Sequence, residues 1–363
     1  MESTVPEMQR CNMAPRPPSF AMIEGLQLLY ALGALSKDGV LTSPIGVQMA
    51  EFPLPPMHSK TLLCSEKEFD KLMESTVPEM QRCNMAPVIL QLKALGIHNV
   101  LRFNYISRPP SFAMIEGLQL LYALGALSKD GVLTSPIGVQ MAEFPLPPMH
   151  SKTLLCSGEM GCSEEMAAII AMLQIQDVFV FPSGNRHKAE VMKRKFSVEE
   201  GDHLTLLNVF TNFLNNDRSK QWCNTHFVNY RGLCRAVSIR DQMLRLLRCY
   251  DVPIVSCRND SAASSIIRRC IVKGFFSQAA QYHFTGDYVT VREEYHFKVY
   301  KGSAIMYAKE FPKWVVFSEV LQDSIRDVSV IEPEWLYQLA PEYYEFGTDD
   351  ELARKRLKQG NDA

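Results

Sequence analysis

The chain has 363 residues, 47% hydrophobic and 21% charged, with a formal net charge of −2; this is enough for two or three globular domains with real cores. A balance so near zero excludes a global basic field, so any affinity for nucleic acid must come from a local stripe of Lys and Arg. Ten scattered Cys with no C-x-x-C pair and no zinc-like cluster read as buried or free thiols in a reducing compartment, while a polar N-terminus and frequent charges argue against secretion and membrane spanning.

An internal repeat dominates the organisation. Met1–Pro15 recurs at Met73–Pro87 and Arg16–Ser65 recurs at Arg108–Ser157, without one substitution. Repeats that stack as solenoids drift at their exposed positions. Identity throughout points instead to a recent duplication of coding segments or to a mis-joined gene model. The second copy contains a block that the first lacks, VILQLKALGIHNVLRFNYIS (88–107), and it alone continues into the rest of the chain. The first copy, 1–65, is therefore expected not to fold independently, because Ile23, Leu26 and Leu29 have no helix corresponding to Val88–Ile97 to pack against.

Residues 66–150 carry the spacing of a winged-helix-like domain. Val88, Ile89, Leu92 and Leu95 predict a helix ended by Gly96; Ser111 is a candidate N-cap for a second; KDGVLT (129–134) is a turn beside a short strand; and helical character resumes from Ser135 to Phe144. Residues 151–282 predict a bundle, with helices capped by Ser163 and Asp202, then Leu233–Tyr250 and Ser264–Tyr282. Residues 283–344 change to short β-rich runs, YVTVRE, YHFKVY, SAIMYA, WVVFSEV and DVSVI, which suit a small five-stranded barrel. The remainder, 345–363, lacks apolar periodicity and reads as a mobile tail. The fold class is mainly α with a C-terminal β-barrel.

The ordered segments TVPEMQRCNMAPVILQLKALGI, PIGVQMAEFPLPP, VEEGDHLTLLNVF, WCNTHFVNYRGL, IRDQM, GFFSQAAQYH, WVVFSEV and WLYQLAPEYY resemble the C-terminal half of DEAH-box RNA helicases, in particular the spliceosome-associated members, over about Glu66 to Tyr344. The resemblance implies a degenerate winged helix, a ratchet-like helical domain and an OB-fold. In that family these pack against two RecA-like motor domains that use ATP and Mg²⁺. This sequence contains no G-x-x-x-x-G-K-[ST], no D-E-x-H and no arginine finger, so by itself it is expected to hold no cofactor and to hydrolyse no ATP. It also has Lys301, Gly302, Ser303 and Ala304 where the family has a His-Pro-Ser-Ser-like turn, and a short connection at Asp323–Arg326.

Arg231, Arg235, Ser238, Gln242 and Arg245 recur at helical spacing, with Ile239, Met243 and Leu246 on the core-facing side, so they are expected to form an outward stripe able to meet RNA phosphates. The bland alternative is a solvated helix face. Arg240 falls in the apolar arc and is expected to hold a buried partner. Arg186, His187, Lys188, Lys193, Arg194 and Lys195 read as a plain surface patch, His203 beside Asp202 as helix capping rather than acid–base chemistry, and Trp222 as a core anchor. Tyr288, Tyr295, Phe297 and Tyr300 could stack bases or fill the barrel, and Lys301 and Ser303 could contact phosphate. The expected RNA-binding residues are thus Arg231, Arg235, Gln242, Arg245, Lys301 and Ser303, with no catalytic or metal residues. The implied role is an accessory module that binds single-stranded RNA and docks on a motor or splicing protein, nuclear by resemblance and otherwise cytoplasmic. A non-catalytic splicing adaptor is the alternative.

Overall fold

The computed structural model describes residues 19–36, 38–42, 45–51, 79–81, 83–182, 184–292 and 294–345. The chain forms two units, Met1–Pro78 and Glu79–Ala363. The postulated tail from 346 on and the side chain of Ile23 lie outside the described residues.

In the first unit, helices α1 (Ser19–Ala31) and α2 (Ile45–Glu51) flank a bridge between Leu35 and Leu41. The larger unit opens with α3 (Ala86–Ala94), α4 (Ser111–Ala123), a matching Leu127–Leu133 bridge, α5 (Ile137–Glu143) and α6 (Pro148–Cys156). Gly96, at φ 84°, follows α3 as expected. Ser111 does not cap α4: Pro110 holds that position and no side-chain cap bond forms.

The two copies are a natural experiment in packing. Local chemistry is the same in both: Thr42 and Thr134 donate to the carbonyls of Gly33 and Gly125 and accept from Gly46 and Gly138. Burial is not. Leu121 and Leu124 are fully buried, whereas their counterparts Leu29 and Leu32 are half-buried. Leu26, Leu28 and Tyr30 are 51%, 45% and 48% exposed. The difference is α3. A methyl group on Gly117 would meet Ile89 Cδ1 at 2.8 Å and Ala86 N at 3.1 Å, but on the equivalent Gly25 it would meet nothing within 4 Å.

The middle of the second unit is helical: α7 (Ser163–Leu173), α8 (Arg186–Phe196), α9 (Asp202–Asn215), α10 (Lys220–His226), α11 (Tyr230–Cys249) and α12 (Ala263–Phe275). The run Met166–Met172 of α7 is buried on every side, as a central helix must be. Ser163 does not cap it; its hydroxyl donates to Pro253 O (2.8 Å) and accepts from Val255 N (2.7 Å), stapling the α11–α12 connection to α7. Asn229 caps α11 by accepting from Gly232 N at 3.0 Å.

The barrel has strands β1 (Ala279–Tyr282), β2 (Tyr288–Thr290), β3 (His296–Val299), β4 (Trp314–Leu321) and β5 (Ser324–Val330), closed in the order β1-β2-β3-β5-β4. Only β3 and β5 pair parallel. Two expectations fail here. The segment AAQY, read as the end of a helix, is the first strand, because α12 stops at Phe275 and Ala279–Gln281 pair with β4. SAIMYA is not a strand but a short 3-10 turn at Ala304–Tyr307, capped by Ser303. Tyr288, Val315, Phe317, Ile325 and Val328 fill the interior, and helices α13 (Pro333–Leu339) and α14 (Pro341–Glu345) bring Trp335, Leu336 and Tyr344 back onto the helical core.

The start of α9 joins bundle to barrel. Gly201, at φ 119°, lies so close to β5 that a Cβ would sit 2.2 Å from Val328 O. This lets buried Asp202 accept from Ser303 Oγ (2.6 Å), Ala304 N (2.6 Å) and Val328 N (2.8 Å). The expected capping role is therefore wrong: the carboxylate caps nothing in its own helix and binds across the junction. His203, fully buried, sits between Ser329 Oγ (Nδ1, 2.8 Å) and Ser318 Oγ (Nε2, 2.7 Å), and hydroxyls can serve either tautomer of a neutral ring. Burial, then nearby His150, pushes its pKa down to about 3.

Two outcomes follow from this packing. Leu121→Ala should cost about 2–5 kcal/mol in urea unfolding while Leu29→Ala costs well under about 1 kcal/mol, since only Leu121 leaves a cavity; equal losses would show that both copies pack alike. His203 has a folded pKa below its unfolded 6.5, so the stability it contributes is complete above pH 6.5 and is lost as pH falls toward 3. Half-buried Asp327, raised to about 7 first by desolvation and then by Asp202, acts with the opposite sign between 3.8 and 7, so the comparison has to be between variants. On going from pH 7 to 5 the wild type should lose up to about 2 kcal/mol more than His203→Gln; a pH-independent gap would contradict this.

Candidate nucleic-acid interface

Helix α11 is long, and its two faces separate by charge. Leu233, Ala236, Val237, Met243, Leu244 and Leu247 are buried, with Ile239 and Leu246 half-buried, whereas Arg231, Arg235, Ser238, Gln242 and Arg245 are all exposed. The stripe read from spacing is thus a continuous outward face. Among the described residues no ion pair reaches Arg231, Arg235 or Arg245, so among them no carboxylate holds these charges.

Arg240 departs from this face. Its guanidinium meets Glu164 at 3.3 Å and Asp241 at 3.8 Å. The inferred partner exists, but Glu164 is 45% exposed, so the pair is a surface bridge worth a fraction of a kcal/mol to about 1 kcal/mol rather than a buried one.

The basic run on α8 divides. Arg186 and Lys188 are exposed, and Arg186 pairs with Glu190 at 3.5 Å. Lys193 is buried, contrary to the surface-patch reading. Its ammonium donates to Gly302 O and lies 5.1 Å from the Phe179 ring centre. Desolvation lowers its pKa while Asp202 and Asp327 oppose the shift. Arg194 covers the Tyr307 ring at 4.6 Å. Both side chains hold the 302–307 loop of the barrel. A cleft of about 470 Å³ opens beside them, lined among others by Phe179, Phe181, Tyr300, Glu319 and Arg326.

In the barrel, the four candidate aromatics part company. Tyr288 is fully buried and donates to Pro312 O at 2.6 Å, and Phe297 packs on Phe317. Tyr295 and Tyr300 point outward, at 59% and 40% exposure, with Arg326 over the Tyr300 ring at 5.1 Å. Lys301 is exposed. Ser303 is only 3% exposed, with its hydroxyl donated to Asp202, at the edge of the same cleft. Trp222 stacks on His226 at the edge of the bundle core. Phe284, 91% exposed at the tip of the β1–β2 hairpin, carries no motif or spacing that marks it in the sequence.

The comparisons with known proteins follow the same three parts. Residues 25–54 and again 117–146 match the helicase associated domain (HA2), winged-helix; residues 147–206 match the helicase associated domain (HA2), ratchet-like; and 267–343 match the oligonucleotide/oligosaccharide-binding (OB)-fold. The winged-helix match falls on both copies of the repeat. The chain is 64% identical over 296 residues to a probable ATP-dependent RNA helicase DHX35 homolog of Caenorhabditis elegans, covering 82% of this chain and 40% of the relative. It is 50% identical to the probable ATP-dependent RNA helicase DHX35 of Homo sapiens over 82% and 42%, and 38% identical to the pre-mRNA-splicing factor ATP-dependent RNA helicase prp22 of Schizosaccharomyces pombe over 80% and 25%. It spans less than half the length of these curated relatives. From the order of the three parts, the closed barrel and these identities, the chain belongs to the DEAH-box RNA helicases and carries their C-terminal winged-helix, ratchet-like and OB-fold region.

Proposed function

We propose that this chain is an accessory module of an RNA helicase, binding single-stranded RNA through phosphate contacts and docking on motor domains or splicing proteins in the nucleus. The observation that carries the reading is the stripe of Arg231, Arg235, Gln242 and Arg245, held outward by the buried face of α11. Guanidinium groups exposed along one helix can pair with phosphates and carry no base preference. Lys301 adds a cation at the barrel loop. The docking part of the reading rests on the winged-helix and ratchet-like matches to RNA helicases. If docking alone is the function, the adaptor reading takes its place.

Replacing Arg231, Arg235 and Arg245 together by Glu should weaken binding of single-stranded RNA across sequences alike, and each lost contact should lower the slope of log affinity against log salt by about 0.7. Fluorescence anisotropy at two salt concentrations reads both quantities. A triple variant with wild-type affinity and slope would remove the stripe from the interface, and a wild-type chain without affinity for RNA would favour the adaptor.

A further inference from the structure

The hairpin joining β1 to β2 presents an aromatic ring where folding gains nothing from one. Tyr282 pairs with Tyr288 as the last registered pair. His283 N then donates to Asp287 O (2.9 Å) and Gly286 N to His283 O (3.0 Å), with Gly286 at φ 90°. The turn is ordered by its own side chains: His283 Nδ1 lies 2.9 Å from Thr285 Oγ1. Phe284 stands at the tip, 91% exposed. Its ring leans on the His283 imidazole, centroids 4.0 Å apart, and His283 in turn meets His296 of β3 edge-on at 5.6 Å.

From this geometry we infer that Phe284, braced by His283 and His296, is a stacking platform for an unpaired base of single-stranded RNA. The inference rests on the RNA-binding reading above and extends it to a second site. The surroundings choose the occupant. Protein docking needs a contiguous apolar patch, but here the outward row across three strands is Gln281, Val289 and His296, followed on β3 by exposed Lys298. A ring this exposed, beside a row in which only half-buried Val289 is apolar, suits a single base, which needs a ring face and tolerates polar edges. The first loop and the β2–β3 face are also where barrels of this topology take oligonucleotides. Asp287 in the turn disfavours a phosphate at the tip itself, so the contact is to a base.

The test uses the full chain, a short labelled oligouridylate and an abasic chain of the same length. Phe284→Ala should weaken oligouridylate binding about ten-fold, leave its salt slope unchanged, and leave abasic binding as in the wild type; Phe284→Trp should restore or strengthen oligouridylate binding. If the wild type binds oligouridylate and Phe284→Ala binds it equally well, the platform is refuted while the arginine stripe stands, and a protein becomes the occupant of the tip. An equal loss on the abasic chain, or a changed salt slope, refutes stacking in favour of a general disturbance. A wild type that binds neither chain overturns the RNA-binding reading and this site with it.

Discussion

The Asp202 carboxylate is the constraint on which the rest of the second unit depends. It is buried at the first turn of α9 and satisfied by three donors from two barrel segments, with Lys193 adding attraction. Hydrogen bonds to an ionised group are the strong ones, and their value rises where water is excluded. Desolvation still raises the carboxyl's pKa, so the geometry must hold all its donors in place to keep the charge tolerable. Gly201 makes the approach possible, and Ser303, Ala304 and Val328 are positioned by it. Because Lys193 reaches Gly302 on the same loop, the bundle and the barrel meet through a polar, largely buried joint as well as through apolar contact.

That joint decides which groups remain for a ligand. Ser303 and Lys193 carry the chemistry of phosphate binding, yet both are consumed by the junction. Lys301, two residues from Ser303, stays outside it. On α11 the division is simpler, since a helix packed on one side must expose the other, and among the described residues no carboxylate pairs with Arg231, Arg235 or Arg245. The proposed RNA interface is therefore what the packing leaves over, a basic stripe on the bundle and an aromatic and basic face on the barrel.

The duplicated segment separates local from tertiary causes with unusual clarity, because composition and order are held constant. Both copies form the helix, the Thr-anchored turn and the short bridge, which need only bonds within a few residues. Only the copy that follows α3 buries its leucines fully. Helix propensity and turn chemistry form the pieces, and a facing surface is what makes the apolar stripe a core.

Much of this was legible in the residues themselves. Helical spacing placed α3, α4 and α11 and put the arginines outward, since periodicity reports which positions share a face. The β-rich runs announced a barrel, and the chain of short motifs named the family. What sequence could not settle was each side chain's partner across distance. Ser163, Asp202 and Lys193 looked like two caps and a solvated cation because their neighbours in sequence allow those roles. Their actual partners lie 90, 101 and 109 residues away. Ala279–Gln281 looked helical until strand β4 supplied hydrogen bonds to pair with, and Phe284 became visible only when the hairpin closed beneath it. Local preference fixed the elements of this chain; tertiary structure decided which polar groups the interior uses up, because a buried charge or donor must find its partner wherever the fold provides one.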